Sequence, residues 1–103
     1  MDIEVTDEER AGRYEVRVDG ELAGFADRTV RDGVMVLPHT VVDPRFRGRG
    51  LAGELVRRAL DDARAQGLGV IPSCWYVAQY IGDHPADVDL VPEDQRSRFG
   101  LSG

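Results

Sequence analysis

The chain has 103 residues, 42% apolar and 31% charged, and its net charge of −6 arises from 19 acidic side chains and 13 arginines, with no lysine. This length and composition predict one globular domain, 1–103, and exclude a disordered or fibrous chain, while the charge disfavours nucleic acid and anionic membranes as partners. The single cysteine, the lack of a secretory signal in the first ten residues and the absence of a run of roughly 20 apolar residues predict a cytoplasmic protein outside the membrane.

The first half of the chain predicts antiparallel strands. Residues 14–18 alternate apolar and polar side chains, and Asp19-Gly20 is a two-residue hairpin signal before a second strand at 22–26. After a turn at 31–33, the segment 34–42 is apolar on both strand faces. This pattern is typical of a central strand that is covered on two sides.

The second half begins with a helix. From Leu51 to Ala63 the apolar residues occupy one half of a helical wheel and the charged residues the other. We expect an ion pair between Glu54 and Arg58, and Gly67 is placed as a left-handed C-terminal cap.

Shorter elements are predicted beyond this helix. The segment 69–72 indicates a buried strand, and Ser73 is placed to cap a second helix in which 74–81 carries apolar residues at helical spacing. Residues 88–91 indicate one more strand. We expect the last dozen residues, 92–103, to form a loosely held tail.

The connection before the first helix concentrates positive charge on a backbone with few side chains. Gly48 and Gly50 leave peptide N–H groups accessible at a helix N-terminus, and Arg45, Arg47 and Arg49 add charge, which suits a diphosphate. Two simpler interpretations remain open. The glycines allow a tight turn beside a solvated arginine face, or the segment is a fragment of an arginine-glycine RNA-binding sequence.

These residues also carry a resemblance. The segment 47–52, RGRGLA, matches the [QR]-x-x-G-x-[GA] signature of the GNAT acyltransferase superfamily. The order His39-Thr40, the loop, the helix, VIPSCWYVAQYI and His84-Pro85 is similar to small single-domain members that carry a cysteine in a P-x-C motif. The resemblance implies an α/β (α+β) fold with N-terminal antiparallel strands, a central strand, the Gly-rich loop, a helix, a splayed parallel strand and a short helix.

The resemblance further implies an N-acetyltransferase that uses acetyl-CoA as co-substrate without a metal, and an amine acceptor that is a small molecule or a protein. The diphosphate would lie at the loop, the pantetheine arm along 40–42, and the thioester where the strand 69–72 splays away. The residues implied in binding acetyl-CoA are Thr40, Val41, Val42, Arg45, Arg47, Gly48, Arg49, Gly50, Leu51, Ala52 and Gly53. A CoA-binding or interaction module without transfer is the alternative.

Three side chains are candidates for catalysis. Cys74 lies at a helix N-terminus, a position that favours the thiolate, although it shares its helix face with apolar residues and also fits a packing role. The resemblance makes it either an acyl carrier or part of the pocket wall. His39 is a partly buried structural histidine or the base that deprotonates the amine. The resemblance makes Tyr80 the candidate proton donor to the CoA thiol, and His84 is expected to cap or brace a loop.

The sequence departs from the superfamily in two places. Between the hairpin and the strand at 34–42 there are no residues for the two helices that usually wall off the acceptor. Trp75, directly after the cysteine, is bulkier than the motif leads us to expect and narrows the entrance.

Overall fold

A computed structural model describes residues 2–101, which form seven strands and two α-helices joined by turns of 3-10 helix. The strands are β1 (Ile3–Glu8), β2 (Arg13–Val18), β3 (Glu21–Asp27), β4 (Thr29–Arg31), β5 (Val34–Val36), β6 (Thr40–Val42) and β7 (Gly69–Ile71). The helices are α1 (Leu51–Ala65) and α2 (Trp75–Asp83). This is the predicted mixed α/β class. Across residues 2–101, no helix is long and apolar enough to cross a bilayer.

The larger sheet has the order β1-β2-β3-β6 and is antiparallel throughout. The predicted hairpin is confirmed as β2–β3, since Tyr14 pairs with Ala26 and both turn residues have positive φ, 50° at Asp19 and 86° at Gly20. The sequence interpretation missed β1. The alternation of Ile3 and Val5 with polar neighbours is the signal that indicates this strand.

The single central strand predicted at 34–42 is wrong, because the chain changes sheets within it. β5 belongs to the smaller sheet, β4-β5-β7, whereas β6 pairs with β3 in the larger one. The crossover contains Pro38, which has no N–H to donate. On either side of it the Leu37 N–H donates to Ile71 (3.1 Å), and the His39 carbonyl accepts from Asp27 (2.9 Å).

Helix α1 covers the face of the larger sheet that carries Tyr14 and Val16. The predicted helix and its left-handed end are confirmed, with φ of +69° at Gly67. The buried residues of α1 are Leu51, Leu55, Val56, Ala59, Leu60 and Ala63.

The predicted ion pair between Glu54 and Arg58 is replaced by two others. Glu54 pairs with Arg57 (3.2 Å), and Arg58 pairs with Asp62 (3.1 Å). Arg58 also donates to the Val5 carbonyl (3.2 Å) of β1, a tertiary contact that draws its guanidinium away from Glu54.

β7 lies parallel to β5, with Val34 opposite Gly69, and leads into α2. The predicted Ser73 cap is wrong: Cys74 is the N-cap residue of α2, and no side chain caps the helix. The Ser73 N–H instead donates to Ile71 (3.0 Å), which closes a tight turn.

The C-terminal segment also differs from its prediction. The strand expected at 88–91 is wrong, since Pro85–Leu90 forms a 3-10 helix in which the Val91 N–H donates to Val88 (3.0 Å). The segment after it packs: Leu101 is buried and Phe99 lies against the core, unlike a loosely held tail. The last two residues of that predicted tail, 102 and 103, lie outside the described residues.

Candidate functional site

The loop between β6 and α1 is held in a defined conformation. The Asp43 carboxylate accepts from the Arg45 N–H (2.9 Å) and starts a 3-10 turn at Pro44–Phe46. Gly48 and Gly50 follow with φ of +79° and +73°, a backbone region that side chains other than glycine rarely adopt. The two glycines let the chain turn directly into α1.

A row of backbone donors is exposed at this turn. Within residues 2–101, the N–H groups of Gly48, Gly50 and 51–53 have no hydrogen-bond partner, and the Glu54 N–H, bound to the Gly50 carbonyl (3.2 Å), is the first engaged donor of the helix. A cavity of about 190 Å³ lies in front of them, lined by Val42, Phe46, Arg47, Gly48, Arg49, Gly50, Leu51 and Ala52. A Cβ at either glycine would project into open space. Unpartnered donors, a helix N-terminus and open space fit a bound diphosphate.

The three loop arginines differ in their surroundings. The Arg45 guanidinium contacts Asp43 (3.0 Å) and Glu21 (2.9 Å), and the hydrogen bond with Asp43 holds its pKa above the usual range. Its charge is therefore already balanced. The Arg49 guanidinium lies 5.4 Å from the centre of the Phe46 ring, and Arg47 is exposed at the cavity.

On the edge of β6 that faces away from β3, some peptide groups do not take part in strand pairing and are available to a ligand. The Asp27 N–H donates to His39 (2.9 Å) and the Asp43 N–H donates to Ala23 (2.8 Å), so every second residue of β6 bonds to β3. By this alternation the peptide groups of Val41 pair with β3, whereas those of Thr40 and Val42 face the gap towards β7. Only two of the three residues predicted to bind the pantetheine arm thus have accessible peptide groups.

The Thr40 side chain adds a further observation at this gap. Its hydroxyl oxygen is buried and has no hydrogen-bond partner in the described part of the chain. A buried polar group without a partner destabilises a protein, and such groups occur where a ligand or water completes the bonding. This orphaned hydroxyl fits a strand that pairs with a bound substrate.

Cys74 lies where β7 ends and α2 begins. Its N–H donates to the Leu37 carbonyl (3.0 Å), and its own carbonyl accepts from Ala78 (3.1 Å), so its backbone is fixed between the crossover and the helix. The side chain is partly buried against the core. Trp75, by contrast, is 75% exposed, and its ring lies at 83° to the Tyr76 ring with the ring centres 6.0 Å apart.

The interpretation of His39 as a partly buried structural histidine is wrong. Its side chain is 71% exposed, because the crossover at Pro38 carries it to the surface of the larger sheet. The His39 Nδ1 lies 3.7 Å from a carboxylate oxygen of Asp27. No pattern along the chain indicates this partner, because only the pairing of β3 with β6 brings the two residues together.

Tyr76 and Tyr80 of α2 lie against the first turn of α1, next to Gly53. Tyr80 stacks on His84 with ring centres 4.0 Å apart, and the His84 Nδ1 lies 2.7 Å from the Tyr80 carbonyl. His84 thus braces the end of α2, whereas the sequence predicted that it caps or braces a loop. The Tyr76 hydroxyl, which the sequence interpretation did not select, lies 3.5 Å from the position of a Cβ on Gly53. Burial raises the pKa of both phenols, so both remain protonated at neutral pH.

Comparison with known proteins agrees with this geometry. A family described as GCN5-related N-acetyl-transferase matches residues 13–90. Protein NATD1 of Homo sapiens is 32% identical over 85 residues, which cover 81% of this chain and 75% of the human protein. NATD1 of Xenopus tropicalis is 31% identical over 85 residues, covering 81% of this chain and 78% of its own length.

Solved structures share the fold. The ribosomal-protein-S18-alanine N-acetyltransferase from Escherichia coli has a TM-score of 0.54 and 24% sequence identity with this chain. The match covers 56% of this chain and 38% of the Escherichia coli chain. A second solved structure is N-acetylglutamate synthase from Neisseria gonorrhoeae, complexed with coenzyme A and N-acetyl-glutamate. It has a TM-score of 0.53 and 17% sequence identity, and the match covers 95% of this chain and 26% of the synthase chain. The family match spans most of the chain and includes the loop, both helices and the splayed strands. The chain therefore belongs to the GCN5-related N-acetyltransferase family.

Proposed function

We propose that this protein transfers an acetyl group from acetyl-CoA to an amine in the cytoplasm. The observation that carries the proposal is the set of N–H groups of Gly48, Gly50 and 51–53, which have no partner within residues 2–101 and lie beside the open edge of β6. Membership of the family supports the reaction class, and one structural neighbour is complexed with coenzyme A. The acceptor is an amine on a small molecule or a protein.

We also place the chain among the small family members with a P-x-C cysteine, here residues 72–74.

Acetyl-CoA binding is assigned to two elements. The loop donors and the charges of Arg47 and Arg49 hold the diphosphate, and the peptide groups of Thr40 and Val42 pair with the pantetheine amides. Arg45 acts differently in this proposal. Since its guanidinium is bound to Asp43 and Glu21, it stabilises the loop conformation and contributes little net charge.

Transfer proceeds by direct attack in this proposal. His39 accepts a proton from the ammonium group, and the neutral nitrogen forms a bond to the thioester carbonyl carbon. The bond between this carbon and sulfur breaks as the carbonyl re-forms, and the departing CoA sulfur receives a proton from a phenol of α2. The nitrogen gives its excess proton, through water, to the resulting phenolate, so the products are a neutral amide and the CoA thiol. Tyr76 and Tyr80 both hold a proton at neutral pH, and Tyr76 lies nearer the cofactor loop because its hydroxyl reaches Gly53.

A covalent route through Cys74 uses the same site. The thiolate would attack the thioester, release CoA and pass the acetyl group to the amine. Intact-mass measurement after mixing with acetyl-CoA, without acceptor, separates the two routes. We expect no added mass. An acetyl group on Cys74 that forms and then disappears on addition of amine would replace direct attack by the covalent route.

A second candidate function is a CoA-binding module without transfer. It is favoured by the exposure of His39, because a base in open solvent has no fixed relation to the substrate. Thiol release with a panel of amines distinguishes the two functions. Acceptor-dependent release of CoA supports the enzyme, and tight CoA binding without release supports the module.

The cofactor site is tested by substitution of a loop glycine. We expect Gly48→Leu to lose at least about tenfold in acetyl-CoA affinity, because the side chain fills the open space before the backbone donors. Gly33→Leu is the matched control: Gly33 has φ of +77° and open space around its Cβ position, but lies in the β4–β5 turn. Calorimetry measures both affinities. Equal acetyl-CoA affinities for the two variants would show that the diphosphate does not bind at this loop.

A further inference from the structure

The face of the larger sheet opposite α1 carries an apolar patch. Leu22, Phe25 and Val41 lie on this face, and Leu22 and Val41 are 40% and 46% exposed. In the described part of the chain neither helix packs on this face. Side chains of this size on one exposed face point to a partner or a ligand.

The patch is concave. A cavity of about 320 Å³ opens between β3 and the end of β6, and its lining residues are Leu22, Ala23, Gly24, Phe25, Val41, Val42, Asp43 and Pro44. A Cβ at Gly24 would lie 2.5 Å from the Val41 carbonyl, so β3 and β6 approach closely here. Its volume is at the lower end of the range of pockets that bind small molecules.

The proposed catalytic base, His39, lies on the same sheet face as the cavity. Phe25 pairs with Val41, and two residues along each strand Asp27 lies opposite His39. Because side chains two residues apart share a strand face, His39 and Asp27 lie on the same face as the cavity, about 7 Å from Val41 along β6. The Asp27 carboxylate, 38% exposed, supplies a negative charge that suits an incoming ammonium group.

We propose that the acceptor is a primary amine with an apolar body, which lies between Leu22, Phe25 and Val41 while its amine lies against His39 and Asp27. This inference rests on the proposed acetyl transfer and names the acceptor class. The cavity volume favours a small molecule over a second copy of the chain, since a stable dimer buries about 1,200 Å² or more.

The test compares amines of increasing length at saturating acetyl-CoA. We expect kcat/KM to rise at least about tenfold from ethylamine to hexylamine, because each added methylene group leaves water. Leu22→Ser should reduce the ratio of kcat/KM for hexylamine to kcat/KM for ethylamine several-fold. The matched control is Val30→Ser on β4, because Val30 is 49% exposed but lies in the other sheet, and its ratio should equal that of the unmodified protein.

A second measurement is independent of turnover. With CoA bound, hexylamine should shift the methyl NMR signals of Leu22 and Val41 and leave those of Val30 in place, and hexanol should bind more weakly because it lacks the charge. Equal kcat/KM for all amines, or no methyl shifts, overturns the proposal even where transfer and CoA binding are intact. Failure to bind CoA contradicts the proposed function instead. Self-association that Leu22→Ser abolishes would also overturn the proposal, since the patch would then join two copies.

Discussion

Individual polar side chains connect the sheet to α1, the helix that follows the glycine loop. The buried Tyr14 hydroxyl donates to Asp62 of α1 (2.9 Å), which also accepts from Arg58 (3.1 Å), and Arg58 donates to β1 at Val5 (3.2 Å). Burial raises the pKa of Tyr14 well above its usual value, with the hydrogen bond to Asp62 as the second cause. This network fixes the orientation of α1 against β1 and β2.

Tyr14 makes stability depend on pH in alkaline solution. Because its folded-state pKa lies above the unfolded value of 10.0, its contribution is fully present below that pH and is lost as the pH rises. We expect the free energy of unfolding to fall above pH 10 by up to about 1.4 kcal/mol per pH unit for this group. Tyr14→Phe should flatten the fall, as measured by urea unfolding between pH 8 and 11. An equally steep fall in the variant would assign the effect to other groups.

At the scale of the elements, the two ends of α1 use glycine for different reasons. Gly67 stops the helix with a left-handed backbone, φ +69°. Gly53 lies within the first turn, where its backbone is ordinary and a Cβ would make only van der Waals contact with Tyr76, at 3.5 Å. One glycine is thus required by conformation and the other is not.

Alanine at these two positions should have opposite effects on stability. Gly67→Ala should destabilise the fold by about 1 kcal/mol, because alanine disfavours positive φ. Gly53→Ala should stabilise it by about 0.5–1 kcal/mol, because alanine is the better helix former. Thermal and denaturant unfolding of both variants measure the difference. Destabilisation by Gly53→Ala would show that the contact between α1 and α2 is tighter than its geometry indicates.

At the scale of the whole molecule, the candidate site lies where the two sheets separate. The crossover at Pro38 takes the chain from β5, which pairs with β7, to β6, which pairs with β3. This change of sheet leaves an open strand edge beside the loop donors and places His39 on the sheet face opposite α1. The C-terminal segment covers another part of the core, since Leu101 is 7% exposed and a Cβ on Gly82 of α2 would lie 3.7 Å from it. The glycine loop, Cys74 and His39 thus belong to three different segments of the chain, and Cys74 is tied to the crossover by its hydrogen bond to Leu37.

The amino-acid sequence determined what depends on neighbours along the chain: the hairpin at Asp19-Gly20, the amphipathic helix from Leu51, its end at Gly67 and the glycine loop with exposed donors. These features follow from local backbone preferences and from hydrophobic periodicity, which a single segment contains. Tertiary structure alone decided that the segment 34–42 divides between two sheets, that Asp27 lies beside His39, that Arg45 is bound to Glu21 and that Leu101 is buried. Each of these depends on residues distant in sequence, whose meeting is set by the packing of the sheets and helices.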